Sequence, residues 1–239
     1  MNRIMLMVLK CMPKIPGWWI KICRLGKDDT TYTEQQRYDF LRDLVKIVNK
    51  RGRVTVESYG EDNIPEENGF ILFPNHQGLF DMLALIDTCS HPLSVVIKKE
   101  ASNWILVKQV LKLLRAISID RSDIKSSLEV INQMTAEVKQ GRNYVIFAEG
   151  TRSKEGNKIL PFKAGTFKSA VNAKCPIVPV ALIDSFKPFD LPSSKKETVQ
   201  VHYLKPILYQ EYKTMRTPQI AKMVSERIQE EIARTIGPI

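Results

Sequence analysis

The sequence predicts an α/β fold, a mostly parallel central sheet flanked by helices, and three observations carry that prediction. Short apolar runs of strand character alternate with longer segments of helical period, which is the pattern of a parallel sheet with crossover helices. The polar clusters NHQGLFD (residues 75–81), IDRSD (119–123) and EGTRS (149–153) each follow such an apolar run. In sheets of this kind, sites gather at the carboxyl ends of strands. The length of 239 residues suits one domain with a sizeable core and a small appendage.

The elements follow in order. Residues 34–49 place Tyr38, Leu41, Leu44, Val45 and Val48 on one helical face. Residues 53–58 alternate like a strand, and Phe70, Ile71, Leu72 and Phe73 form a buried one. Residues 93–97 read as a short buried strand, 103–114 as an apolar helix, and the Ile-Ser-Ile ahead of Asp120 as a further short strand. Ser122 is placed to cap a helix with Ile124, Leu128, Ile131, Met134 or Ala136, and Val138 inward. Tyr144, Val145, Ile146 and Phe147 form the strand before Glu149, and residues 177–182 form another. Residues 199–204 alternate as a strand with one wet face. Thr217-Pro218 opens a last helix that buries Ile220, Val224, Ile228 and Ile232 and ends at Gly237.

The net charge of +10 argues for an anionic partner: membrane lipid, an acidic carrier protein or nucleic acid. No stacking platform or recognition helix accompanies the charge, so no nucleic acid is expected. In residues 1–27, Arg3, Lys10, Lys14, Lys21, Arg24 and Lys27 stand without a single acidic residue, among apolar runs and the pair Trp18-Trp19. The first run is broken by Lys10, well short of the roughly 20 apolar residues that a spanning helix needs. The segment reads as an interfacial anchor rather than a helix packed on the domain. Neither a signal peptide nor paired cysteine spacing is evident, which points to a reducing, cytoplasmic setting. No cluster of metal-ligand spacing and no nucleotide-binding glycine loop appears, so neither a metal nor a bound cofactor is expected.

His76 and Asp81 flank four residues just after a strand. Imidazole exchanges a proton near neutral pH, and a carboxylate one turn further on can fix its tautomer. Arg152 offers a bidentate fork suited to a phosphate. Taken singly, each motif also fits a structural turn or a salt-bridged loop.

Together and in this order, the motifs NHQGLFD, SIDR and FAEGTRS, with the basic PFKAGTFK at 161–168, resemble the glycerolipid acyltransferases that use a His-x4-Asp motif, the bacterial 1-acylglycerol-3-phosphate acyltransferases among them. The resemblance runs from about residue 69 to 182, roughly half of the chain. It implies His76 as the base, Asp81 as its support, and Arg121 and Arg152 as ligands of the acceptor's phosphate. Lys99 and Lys163 are weaker candidates for that phosphate. Glu149, Gly150 and Thr151 are expected to shape the acceptor site, and Asn75 and Gly78 to position the turn around the base. Backbone amides near Gly78 are candidate oxyanion donors. This chain has Ala148 where the family usually has Pro, and Ser118 and Ala116 where it usually has an aromatic residue and Gly.

The sequence therefore reads as a membrane-interface segment at 1–33 and an acyltransferase domain at 34–239. The expected reaction moves a fatty acyl group from a thioester of acyl carrier protein or coenzyme A to the sn-2 hydroxyl of lysophosphatidate. Other readings are glycerol 3-phosphate or another lysophospholipid as the acceptor, or a basic anionic-lipid-binding module without catalysis. The expected location is peripheral or monotopic, on the cytoplasmic face of the cell membrane.

Overall fold

In a computed structural model of the chain, residues 2–27, 31–98, 105–120 and 123–237 are described. A seven-stranded sheet forms the centre, in the order β1-β7-β6-β2-β5-β3-β4. The strands are β1 (Val54–Tyr59), β2 (Ile71–Pro74), β3 (Leu93–Lys98), β4 (Ile117–Ile119), β5 (Asn143–Val145), β6 (Ile177–Ile183) and β7 (Glu197–Tyr203). All neighbours pair in parallel except β6 and β7. β2 and β6 are buried at every residue, as strands covered on both faces must be. The mostly parallel α/β architecture is thus as the sequence predicts.

Helix α3 (Glu34–Arg51) starts at a capping box between Thr33 and Gln36 and buries Tyr38, Leu41 and Val45. Helix α4 (Asp81–Thr88) follows β2, and α5 (Ile105–Leu113) precedes β4. Helix α6 (Ile124–Lys139) is capped by the Asp123 side chain, which accepts from the Lys125 amide. Its buried stripe is Val130, Met134 and Val138, while the expected Leu128 is 49% exposed. Leu128 instead lines an apolar groove described below. Short helices α7 (Lys168–Ala173), α8 (Lys187–Asp190) and α9 (Tyr209–Tyr212) follow. Helix α10 (Thr217–Ile236) buries Ile220, Val224, Ile228 and Ile232, as its periodicity requires, and is closed by Gly237. The wet face expected of β7 is dry at His202, because Glu231 of α10 covers it with a contact of 2.6 Å to Nδ1.

The basic amino-terminal segment forms α1 (Arg3–Cys11) and α2 (Ile15–Leu25). Leu6, Met7, Cys11, Ile22 and Leu25 are buried, and Met7, Ile22 and Leu25 belong to the same core as the sheet. A second face of α1, formed by Ile4, Met5, Val8 and Leu9, is 43–56% exposed. The segment is therefore packed on one side and apolar on the other. Trp18 and Trp19 line a shallow groove between these helices and α3. Among the described residues, no helix is long and apolar enough to cross a membrane.

Candidate active site

Strand β2 ends at Pro74, and the chain turns through Asn75–Phe80 before α4 begins at Asp81. Asp81 is 1% exposed, and its carboxylate gathers three donors. Its Oδ2 lies 2.7 Å from His76 Nδ1 and 2.7 Å from the Gln77 amide, and the Gly78 amide donates to it at 3.1 Å. With Nδ1 engaged by the Asp81 carboxylate, Nε2 is the ring nitrogen left to accept a proton. The imidazole stacks on Phe147, with ring centroids 4.1 Å apart. Phe147 comes from the turn after β5, so the base is held between two strand ends.

Glu149 closes the arrangement. Its Oε1 accepts from the His76 amide at 2.7 Å and its Oε2 from the Leu160 amide at 3.0 Å. The Ser153 amide donates to the His76 carbonyl at 2.8 Å. The turn that bears the base is thus bound on both its backbone groups to the EGTRS loop, which brings Arg152 to the same end of the sheet. At 2% exposure Glu149 has both oxygens engaged by backbone amides, so it braces the turn that bears the base. Asn75 also faces inward. Its side chain makes paired bonds to the Leu182 backbone, accepting from the amide at 2.7 Å and donating to the carbonyl at 3.0 Å. The Gly78 amide is spent on Asp81, which removes it as an oxyanion donor. Gly78 itself is needed for space, since a Cβ there would fall 2.5 Å from Asp190 Oδ2 and 2.9 Å from Phe186 Cα.

Burial raises Glu149 from an ordinary 4.5 to about 7, with the charge of Asp81 adding to it and the two amides opposing. Between those pH values the folded chain holds a proton that the unfolded chain has released, so stability falls as pH rises through that window. The loss is at most about 3 kcal/mol. Wild-type melting temperature is expected to drop by several degrees between pH 5 and 8 from this group, and the drop should shrink in Glu149→Gln, as thermal melts across that range will show.

Arg152 is half-exposed, with Nη1 3.4 Å from Asp190 Oδ1. Thr151 is exposed beside it. Lys163 packs over Gly150, whose φ of +72° suits glycine, and its Nζ lies 2.7 Å from where a Cβ would be. Lys99 and Arg121 lie outside the described residues. A groove of about 490 Å³ opens next to the base, and Phe147 and Gly150 form part of its wall. Val96, Ile119, Leu128, Ile131, Met134 and Ile146 make it apolar, and Lys163 and Lys168 flank it. Among the described residues no group of His, Cys, Asp and Glu is placed to hold a metal ion.

A family model described as Acyltransferase matches residues 55–183, a span that contains His76, Asp81, Glu149, Arg152 and Lys163. The chain belongs to the acyltransferase family. It is 34% identical over 129 residues to a probable 1-acyl-sn-glycerol-3-phosphate acyltransferase of Mycoplasma genitalium, covering 52% of this chain and 47% of that one. To the 1-acyl-sn-glycerol-3-phosphate acyltransferase of Helicobacter pylori it is 36% identical over 118 residues, covering 48% and 49%. The chain thus spans about half the length of these two relatives. The Bacillus subtilis relative of the same name is 29% identical over 178 residues, with 72% and 80% covered. The fold matches a crystal structure of the 1-acyl-sn-glycerophosphate acyltransferase of Thermotoga maritima with a TM-score of 0.69, at 20% identity and covering 86% and 83% of the two chains.

The motifs mark His76, Asp81 and Arg152, and the fold brings them to one end of the sheet. Phe147, Gln77 and Asp190 join them there without such a mark. Gln77 stands inside the first motif, and its 2% exposure reflects a joint to the next loop: its side chain donates to Asn157 and to the Leu182 carbonyl, both at 2.8 Å, and accepts from the Ser185 amide at 2.9 Å. Asp190 lies beyond every motif, so nothing local marked it.

Proposed function

We propose that this protein transfers a fatty acyl group from an acyl thioester to the sn-2 hydroxyl of 1-acyl-sn-glycerol 3-phosphate, forming phosphatidate. The observation that carries this reading is the His76–Asp81 pair beside an apolar groove and within one loop of Arg152. The names of the relatives support lysophosphatidate as the acceptor. The donor is a thioester of acyl carrier protein or coenzyme A.

In this mechanism His76 Nε2 takes the proton of the acceptor hydroxyl as its oxygen attacks the thioester carbonyl. Asp81 stabilises the imidazolium that results. When the tetrahedral intermediate collapses, the carbon–sulfur bond breaks and the leaving thiolate receives the proton from His76. The acyl chain lies in the groove, where burial of its methylenes contributes about 0.8 kcal/mol each. Arg152 grips the acceptor's phosphate, supported by Lys163, and Lys99 and Arg121 serve the same anion. The exposed apolar face of α1, with Lys10 and Lys14 beside it, rests in the cytoplasmic surface of an anionic membrane.

The direct test is release of free thiol from an acyl thioester, measured with lysophosphatidate, with glycerol 3-phosphate and with no acceptor. Release that depends on lysophosphatidate and yields phosphatidate supports the reading. Equal release without acceptor would make the protein a thioesterase. For the phosphate ligand, Arg152→Ala should raise the acceptor's KM at least about tenfold, the scale of a lost charged hydrogen bond, and leave the donor's unchanged. Arg152→Lys should recover only part, because a point charge does not replace a fork. Steady-state kinetics in each substrate decides it.

A further inference from the structure

Among the described residues Arg3 is the most buried charged side chain, at 0% exposure, yet it sits in the first turn of a surface helix. Its guanidinium collects carbonyls from three separate segments. Nε donates to Pro188 O at 3.0 Å, Nη1 to Gly52 O at 2.7 Å, and Nη2 to Lys195 O at 2.8 Å. Glu197 lies 3.6 Å from Nη2. These are carbonyls that regular structure leaves over. Gly52 caps the end of α3, and Pro188 stands in a helix of four residues with no following turn to satisfy it. A buried charge is tolerated only when its hydrogen bonds are met, and here a planar fork meets groups that no single point donor spans.

The Pro188 contact matters because of what α8 touches on its other side. Asp190, two residues on, pairs with Arg152 at 3.4 Å. Phe186 and Asp190 pack so closely on Gly78 that a methyl group has no room. Phe189 meets Phe80 edge to face, with centroids 5.2 Å apart, and the Ser185 amide is held by Gln77. This short helix therefore lies between the turn that bears the base and the buried end of α1. Arg3 and Asp190 both fall outside the segment matched by the family model.

We infer that Arg3 is a positioning residue for the acceptor's phosphate: it fixes α8, and Asp190 on α8 orients the Arg152 guanidinium while leaving the rest of its fork for the ligand. The inference rests on the reading of Arg152 as the phosphate ligand. It ties the seating of the amino-terminal helix to the acceptor site through a single side chain.

The test uses the full chain, with lysophosphatidate in detergent micelles and separate determination of kcat and both KM values. Arg152→Ala reports on the underlying reading. Arg3→Met and Asp190→Asn should each raise the acceptor's KM about three- to tenfold, the usual scale for a residue that acts through another, with the donor's KM unchanged. The double variant should be no worse than Asp190→Asn alone, because both act along one route. Arg3→Lys should fall between Arg3→Met and wild type. A purely structural Arg3 would lower the active fraction, and so kcat, and leave KM where it was; that result overturns the inference. So does a fall in acceptor KM, which would make Asp190 a competitor of the phosphate, or fully additive effects. If Arg3→Met does not fold, Arg3→Lys combined with Asp190→Asn gives the same comparison. An Arg152→Ala variant with unchanged acceptor KM would sink the phosphate reading itself, whatever Arg3 does.

Discussion

Replacing His76 by Ala should lower turnover at least about a hundredfold, the scale of a lost general base, in a protein that still folds. The ring is 22% exposed and stacks on Phe147 at the rim of the site, so its removal opens no large internal cavity. Asp81→Asn should cost more, up to about ten-thousandfold on the pattern of other carboxylate–histidine pairs, and should also destabilise the chain. The carboxylate accepts from His76 Nδ1 and from the amides of Gln77 and Gly78. An amide side chain keeps one oxygen and turns an NH2 group toward donors that then go unmet. The two variants should therefore separate: similar melting temperature with lost turnover for His76→Ala, and both lowered for Asp81→Asn. A folded His76→Ala protein with near-normal thiol release would remove the mechanism.

Changing Ile4, Met5, Val8 and Leu9 to Ser should weaken binding to anionic vesicles about a thousandfold and leave the fold intact. Each of these side chains is about half exposed, so burial in a membrane interface contributes roughly 1 kcal/mol apiece. Their loss should make the remaining binding more sensitive to salt, because only the screened attraction of Lys and Arg is left. Co-sedimentation at low and high salt measures both. Deleting the segment would not serve as the test. Leu6, Met7, Cys11, Ile22 and Leu25 close the core, and Arg3 satisfies carbonyls of three segments. Unchanged vesicle binding by the surface variant would mean that another face meets the membrane.

Much of this protein is legible in its own sequence, and the reasons are local. The stripe of α10 follows from a period of 3.6 residues, and β2 and β6 from unbroken apolar runs. The His76–Asp81 pair is legible because only four residues of a single turn separate the two side chains. What tertiary structure decided depends on partners remote in the chain. The antiparallel pairing of β7 with β6 leaves no mark in a strand's own residues. Glu149 reads in sequence as part of an acceptor site, and it becomes a brace only because the His76 and Leu160 amides lie across from it. Leu128 fits a buried helical stripe by spacing alone, and it is exposed because the neighbouring strand ends leave a groove there. Arg3 looks like one of six cations on a basic segment. Its burial depends on carbonyls 49, 185 and 192 residues away, and a hydrogen bond of that range is fixed by how the layers pack, not by any pattern along the chain.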